Sequence, residues 1–378
     1  MNFIESLRVA RRARRKERKD RKKFKTYLPH YDLSGVESLI KEVFGEVDPD
    51  KLTVYAPVKN EMGMLPAFLG HYRAMGFEQF IFYDDQSDDG TFEYLREQDD
   101  CIIVHARMTF GEQLYYTGPT HNAIRYVRFG SFSKMALPNY FLPGKIVAYF
   151  DSDEFLILPP GIDNIREVYD RIEAIGSTGA YATMVEFFPR STKSFEKPIP
   201  TTFETLMDEY AWFEPEALFD PMGALDEVGK PVFTAPSKST RLFEQYDVRY
   251  EIRRDTLREK VYLSSQEKRQ QKFNRSGRHK TPILRRDAES FQFSCHDAIV
   301  PPSGEILLTL AHFVFTSNFA QKIDNARVWK AHVMGASKYR YYAELLDKME
   351  GVEDGFLSDN SERYETPQQL IDCGLMKW

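Results

Sequence analysis

The pattern of apolar and polar residues between positions 52 and 105 predicts alternating strands and helices. Short apolar runs predict strands at 52–57, 79–83 and 102–105. A helix is predicted between the first two strands, because apolar residues recur there at helical spacing: Leu65, Phe68, Leu69, Tyr72 and Met75. A second helix is predicted over 91–97. Repeated strand–helix–strand units form parallel sheets, which bind ligands beyond the carboxyl ends of their strands.

Another apolar run, residues 146–150, ends abruptly at the acidic stretch 151–154. A run without polar alternation is typical of a central parallel strand covered on both faces. If the strand continues, Asp151 and Asp153 point to one side and Glu154 to the other. Two carboxylates on one side repel each other unless a cation lies between them, and a hard divalent cation is the usual solution. The alternative is a solvated acidic loop; the apolar residues on both sides favour a site.

Four motifs occur in order along the chain: Lys59-Asn60-Glu61, Phe68-Leu69-Gly70-His71-Tyr72, Tyr83-Asp84-Asp85-Gln86-Ser87-Asp88-Asp89-Gly90-Thr91 and Phe150-Asp151-Ser152-Asp153-Glu154-Phe155-Leu156. Together they resemble the family 2-like glycosyltransferases of GT-A fold, in particular the bacterial branch with an Asp-x-Asp-Glu-Phe motif. The resemblance covers about residues 50–330. It implies an α/β fold of the GT-A type, a Rossmann-like sandwich with a mostly parallel central sheet flanked by helices. Residues 331–378 are expected to form a C-terminal helical extension.

The resemblance also implies an activity. A metal-dependent, hexosyltransferase-like enzyme is expected, using Mn²⁺ or Mg²⁺ to move a sugar from a nucleotide-sugar donor, with a UDP-sugar favoured. The acceptor is expected to be a hydroxyl of a glycan or lipid-linked molecule in surface polysaccharide synthesis. An inverting mechanism is favoured, and a retaining one stays open. Two other functions compete: a nucleotidyltransferase, and a non-catalytic binding module that keeps the fold.

Residue by residue, the resemblance implies a set of donor-binding positions: Ala56, Pro57, Glu61, Asp85, Gln113, Asn122, Asp151, Lys280 and Arg278. Asp85 is expected to contact the base or ribose, although Asp is also common in turns. Asn122, expected on a helix, is equally compatible with a surface position. Lys280 is the first candidate to stabilise the diphosphate leaving group, with Arg278 second, because a cation there offsets the developing charge. The alternative is a solvated basic loop, which we favour for Arg285 and Arg286.

The metal ligands implied by the resemblance are Asp151 and Asp153, with Asp153 as the direct ligand. Two further strands, 291–298 and 305–315, are predicted around a turn and carry histidines. His312 is the preferred third ligand and His296 the second choice. A histidine on an apolar strand is more often a hydrogen-bonded core residue, so both roles remain open.

An inverting transfer needs a general base near the acceptor hydroxyl. Three carboxylates are candidates: Glu186, which follows a predicted strand at 181–185, Glu214, which follows two aromatic residues, and Asp297. The sequence does not choose among them.

Charge is distributed unevenly along the 378 residues. Residues 1–25 contain twelve Lys or Arg and three acidic residues, a net charge of +9. Because the whole chain has a net charge of −6, the remaining residues carry −15. An apolar stripe (Phe3, Ile4, Leu7 and Ala10) precedes the basic residues, which suits a helix on an anionic membrane surface. A plain basic tail is an equal alternative. A nucleic-acid contact is disfavoured, because no nucleic-acid motif follows.

Three widely spaced cysteines argue against a disulfide framework and for a reducing compartment. No apolar stretch approaches the ~20 residues of a membrane span, and no signal peptide is visible. We therefore expect a cytoplasmic protein that can lie at the inner face of the plasma membrane.

Overall fold

The structure is a computed structural model that describes residues 30–31, 33–118, 121–216, 234–236, 238–248, 275–277, 279–287, 292–294, 297–298, 300–319, 323 and 337–378. The strands, in chain order, are β1 (His30–Tyr31), β2 (Ile40–Phe44), β3 (Thr53–Val58), β4 (Gln79–Asp84), β5 (Cys101–Ala106), β6 (Gln113–Gly118), β7 (His121–Arg128), β8 (Ile146–Tyr149), β9 (Glu154–Ile157), β10 (Gly179–Glu186), β11 (Trp212–Phe213), β12 (Thr234–Pro236), β13 (Arg275–Gly277), β14 (His279–Arg285), β15 (Gln292–Ser294), β16 (Asp297–Ala298), β17 (Leu307–His312) and β18 (Glu362–Arg363).

The helices are α1 (Leu65–Ala74), α2 (Thr91–Arg96), α3 (Phe129–Phe141), α4 (Ile165–Ala174), α5 (Phe203–Glu209), α6 (Lys238–Gln245), α7 (Ser337–Met349) and α8 (Pro367–Asp372), with 3₁₀ turns at Leu33–Leu39 and Thr192–Glu196. The predicted strands at 52–57, 79–83 and 102–105 are confirmed as β3, β4 and β5, each within one residue at either end.

A nine-stranded sheet forms the centre of the fold, in the order β2-β5-β4-β3-β8-β14-β10-β17-β9. The pairs β3–β4, β4–β5, β3–β8 and β10–β17 are parallel, whereas β14 runs antiparallel between β8 and β10. Six strands (β3, β4, β5, β8, β10 and β17) therefore run in one direction, and the edge strands β2 and β9 run against their neighbours. The predicted α/β class with a mostly parallel central sheet is confirmed.

Helices cover both faces of this sheet. The evidence is that alternate residues of a strand pack in different cores. Ala56 packs in a core that contains Leu65 of α1, whereas the adjacent Tyr55 packs in a core that contains Phe132 of α3. The fully buried pattern of β3 is the one expected for a strand covered on both sides.

The C-terminal residues pack against the sheet. Thr309 Oγ1 donates a hydrogen bond to Leu375 O at 2.9 Å, and Leu307 exchanges main-chain bonds with Lys377. β18 pairs with β11, so the extension is joined to the body through main-chain pairing at two places.

Some predicted elements differ from the structure. The strand expected at 291–298 is divided into β15 and β16, which pair with each other outside the main sheet, whereas β17 lies within it. Asn122 lies on strand β7, so its expected place on a helix was wrong. Arg286 was expected in a solvated loop and is instead 1% exposed, with its Nη2 donating to Val147 O at 3.3 Å. Burial lowers the pKa of this guanidinium to about 10, and neighbouring tyrosines oppose that shift.

Candidate functional site

The carboxyl ends of the six parallel strands gather acidic and histidine side chains at one edge of the sheet. Asp84 ends β4, Glu186 ends β10 and His312 ends β17. Residues 150–153, which follow β8, lie at the same edge, because β8 is parallel to β3 and Phe150 N donates to Tyr55 O at 3.2 Å. Ligands of parallel sheets bind beyond this edge.

The loops after β3 and β4 are held together by side chains of the first and third motifs. Asn60 accepts from Asp88 N at 2.9 Å and donates to Asp88 Oδ1 at 2.6 Å. Asp89 accepts from Met62 N at 3.1 Å and from Thr91 N, the first residue of α2, at 3.0 Å. The side chains of Asp88 and Asp89 therefore hold these two loops together.

Asp85 lies beneath these loops. Its Oδ1 accepts hydrogen bonds from Tyr83 OH and Phe110 N, both at 3.1 Å. Burial raises the pKa of the Asp85 carboxyl to about 6, against the opposing charge of Lys59. A carboxylate held by two donors at the end of β4 is well placed to accept a hydrogen bond from a ligand hydroxyl or base.

The acidic motif forms a turn instead of continuing a strand. β8 ends at Tyr149 and β9 begins at Glu154, so residues 150–153 connect two different strands of the sheet. The strand alternation expected for Asp151 and Asp153 does not apply, and that prediction was wrong. Asp151 contacts two lysines, whereas Asp153 lies near His312.

Asp151 is surrounded by hydrogen-bond donors. Its Oδ1 accepts from Lys134 Nζ at 2.8 Å and from Tyr149 OH at 2.7 Å, and its Oδ2 accepts from Lys280 Nζ at 2.7 Å. Burial disfavours the charged form, but the two ammonium groups outweigh it and hold the pKa of Asp151 well below its ordinary value. Asp151 is therefore ionised and fixed in orientation.

Glu154 shares one of these lysines. Lys280 Nζ forms an ion pair with Glu154 Oε1, and Asp151 N donates to Glu154 Oε2 at 3.1 Å. Burial raises the pKa of Glu154, and Lys280 opposes that shift. Lys280 was expected to contact a diphosphate; its side chain is 3% exposed and instead neutralises these two carboxylates. Glu154 therefore stabilises the turn.

Helix α1 supports the turn from below through the second motif. Tyr72 OH donates to Glu154 O at 2.8 Å and accepts from Leu156 N at 3.1 Å. His71 Nε2 donates to Leu156 O at 2.8 Å, and burial lowers the pKa of His71 to about 4. The Phe-Leu-Gly-His-Tyr motif thus positions the main chain of the acidic motif.

Replacing Tyr72 with phenylalanine tests this support. The variant leaves a buried carbonyl and a buried amide without their partner, so we expect a loss of about 2–3 kcal/mol in the free energy of unfolding. Urea unfolding of Tyr72→Phe and of Tyr140→Phe, whose ring is exposed, provides the comparison. A loss equal to that of the Tyr140 variant would mean that these hydrogen bonds do not stabilise the turn.

Asp153 and His312 form the part of the site that can accept a cation. Their nearest atoms, Asp153 Oδ1 and His312 Nε2, are 3.8 Å apart, and both side chains are about one-fifth exposed. Two ligands that share a cation at about 2.1 Å each lie roughly 3–4 Å apart, so this pair fits a divalent ion. Asp151 already accepts three hydrogen bonds, from Lys134, Tyr149 and Lys280, and its role as a ligand stays a prediction.

The described ranges contain no group of three or more His, Cys, Asp or Glu side chains arranged to hold a metal by themselves. Mg²⁺ is commonly bound by one or two protein groups together with substrate phosphates and water. A pair of ligands is therefore compatible with a cation that arrives with a phosphorylated ligand.

The three candidate bases differ in their distance from His312 along the sheet, and Arg241 interacts with both Glu186 and Glu214. Glu186 is the in-register neighbour of His312, which is in turn the in-register neighbour of Glu154, so the three side chains share one face of the sheet. Glu214 forms an ion pair with Arg241 at 2.9 Å and accepts from Ser358 Oγ at 3.0 Å, which favours a structural role. Asp297 lies on β16, outside the main sheet. The geometry favours Glu186.

The side chains of some other predicted positions lie away from this edge. The side chains of the remaining ones are outside the described residues. Ala56 and Pro57 are buried within β3, and the Ala56 side chain packs in the core, so only its main chain could face a ligand. Gln113 begins β6 in a separate three-stranded sheet. The side chains of Asn122 and Asp297, and the whole of Arg278 and His296, lie outside the described residues.

Sequence reasoning missed Lys134 and Tyr149, which both bind Asp151. The available signal for Lys134 is a single basic residue on an otherwise apolar stretch of α3, where Phe132, Met135 and Ala136 are buried. Tyr149 is the only hydroxyl in the strand segment Ile146–Tyr149. Neither signal specifies a partner before the fold is known.

Comparison with known proteins adds no relative. The chain matches no known protein-family model, and no curated protein matches it.

Proposed function

We propose that this protein is a metal-dependent glycosyltransferase of GT-A type that uses a nucleotide-sugar donor. The observation that carries the proposal is the gathering of Asp85, the 150–153 turn, Glu186 and His312 at the carboxyl edge of the parallel strands. The four motifs that resemble family 2-like glycosyltransferases all contribute to this edge or support it.

Electrostatics favour a cation in this reaction. Around the turn, Lys134 and Lys280 face three carboxylates (Asp151, Asp153 and Glu154), which leaves a charge of −1 when all are ionised. An anionic diphosphate is repelled by such a site and attracted once a dication binds. Asp153 and His312 would hold Mn²⁺ or Mg²⁺, which would supply charge stabilisation for a departing nucleoside diphosphate.

The residues of the chain have separate roles in this proposal. Asp85 accepts a hydrogen bond from the nucleoside, and Asp151 is held ionised by its lysines at the rim of the turn. Glu186 is the favoured general base for the acceptor hydroxyl, because it ends β10 beside His312. The donor is expected to be a UDP-sugar, and the acceptor a glycan or lipid-linked hydroxyl used in surface polysaccharide synthesis.

The test is a panel of sugar nucleotides incubated with the full chain and Mn²⁺, with products separated by chromatography. A glycosyltransferase releases nucleoside diphosphate from one donor even without acceptor, and chelation of the metal stops the release. Release of pyrophosphate from a nucleoside triphosphate and a sugar phosphate would identify a nucleotidyltransferase instead. Metal-dependent binding without turnover of any donor would identify a binding module.

The basic segment 1–25 lies outside the described residues. No helix among the described residues has both the length and the apolar character needed to cross a membrane. We propose that this segment recruits the enzyme to anionic membranes at the cytoplasmic face, where a lipid-linked acceptor is available, because residues 1–25 carry a net charge of +9 while the rest of the chain carries −15.

Deleting residues 1–25 should leave donor hydrolysis intact and reduce binding to anionic vesicles. Each basic residue near such a surface contributes about 1 kcal/mol at modest salt, so even part of the twelve dominates the attraction. Cosedimentation with vesicles of increasing anionic lipid content measures it, with neutral vesicles and high salt as controls. Equal partitioning of the full-length and truncated proteins at low salt would mean that residues 1–25 do not contribute to membrane binding.

A further inference from the structure

The two lysines that neutralise Asp151 differ in how firmly they are held. Lys280 lies on β14, its side chain is 3% exposed, and it is shared with Glu154. Lys134 lies on α3, its side chain is 25% exposed, and the ion pair described for it is with Asp151. A long lysine side chain with a partly exposed ammonium can move without disturbing the core. Lys134 is therefore the exchangeable partner of Asp151.

A divalent cation at the Asp153–His312 pair changes the charge around Lys134. Without the cation, three carboxylates outnumber the two ammonium groups, and Lys134 is attracted to Asp151. With the cation, the three carboxylates, Lys280 and the dication sum to zero, against −2 without it, so the attraction that holds Lys134 on Asp151 is largely removed. A diphosphate that binds beside the cation offers Lys134 a new anionic partner, and Asp151 Oδ1 becomes available to the metal shell.

Resting on the proposed function, we propose that Lys134 is an exchangeable counter-ion, which pairs with Asp151 in the empty site and moves to the donor diphosphate when the divalent cation binds. In the empty site Lys134 competes with the metal, and in the loaded site it contributes to diphosphate binding. Metal and diphosphate should therefore bind cooperatively, because each favours the position of Lys134 that the other requires.

The experiment measures the affinity of the full chain for Mn²⁺ alone, and then for UDP or GDP at saturating Mn²⁺, by calorimetry. Lys134→Met should bind Mn²⁺ alone about tenfold more tightly than the wild type and the diphosphate about tenfold more weakly. Lys134→Arg, which keeps the charge, should stay near the wild type in both measurements. Lys145→Met is the matched control, because Lys145 forms an exposed ion pair with Asp50 away from these residues.

Opposite shifts of the two affinities support the exchange, since a purely structural lysine would weaken both. If Lys134→Met and the wild type bind Mn²⁺ equally, or if both affinities fall together, the exchange is overturned while the metal site stands. If neither protein binds Mn²⁺, with or without diphosphate, the proposed metal-dependent function fails and the exchange with it. Thermal unfolding of each variant checks that the comparison is made between folded proteins.

Discussion

Replacing Lys280 with methionine is expected to lower the free energy of unfolding by about 3–5 kcal/mol. The ammonium group of Lys280 is 2.7 Å from Asp151 Oδ2 and also pairs with Glu154, whose side chain is 1% exposed. Methionine keeps most of the volume of the side chain but leaves Glu154 buried without its cation. Removing one partner of a buried pair costs more than the pair contributes, because the remaining charge keeps its desolvation penalty.

Urea unfolding of Lys280→Met and the wild type measures this loss. Lys145→Met is the control, because its exposed ion pair should contribute less than about 1 kcal/mol. Adding Glu154→Gln to Lys280→Met removes the stranded carboxylate and should recover part of the stability. A loss below that of the Lys145 variant would mean that the network of Lys280, Asp151 and Glu154 does not stabilise the turn.

Replacing Asp153 with asparagine should reduce the metal-dependent turnover of the donor at least about a hundredfold while the protein stays folded. A cation that stabilises the leaving diphosphate contributes several kcal/mol to the transition state, and about 2.7 kcal/mol already corresponds to a hundredfold in rate. The change keeps the size of the side chain and removes the charge that faces His312 at 3.8 Å. Because Asp153 is partly exposed, its loss should alter stability little.

Initial rates of nucleoside diphosphate release at increasing Mn²⁺ concentration test this expectation. Asp163→Asn is the control, because Asp163 is an exposed acidic residue before α4, and its variant should match the wild type. Near-full activity of Asp153→Asn at moderate Mn²⁺ would mean that Asp153 is not a metal ligand. A His312→Ala variant should show the same weakening of metal dependence, since the two side chains form one pair of ligands.

The fold was largely predictable because its core strands have a simple pattern. β3 and β4 are buried along their whole length, so their apolar runs marked them without ambiguity. The strand at 291–298 was harder, because its residues pair locally as β15 and β16 instead of entering the sheet. Local periodicity does not show which strands pair when they are far apart in the sequence. β14, for example, lies between β8 and β10 in the centre of the sheet although it follows both by about a hundred residues.

The site was predictable in its location but not in its internal contacts. The acidic motif was placed at the end of a buried strand, and the structure puts it there. Asp151 and Asp153 were expected on one face of a continuing strand. This expectation was wrong because the strand ends at Tyr149, two residues before Asp151. Lys134 and Lys280 come from α3 and β14, so only the folded chain shows that both bind Asp151.

The most direct test of a metal site at this turn is anomalous diffraction from crystals of the full chain grown with Mn²⁺ and a nucleoside diphosphate. We expect an anomalous peak about 2.2 Å from both an Asp153 oxygen and a His312 nitrogen. The chain contains a second pair of this kind, Asp84 and His105, 3.0 Å apart, in which Asp84 is buried and also accepts from Ser87 N. Binding of Mn²⁺ only at that second pair, or no peak at Asp153 despite bound diphosphate, would contradict a metal-dependent site at the 150–153 turn.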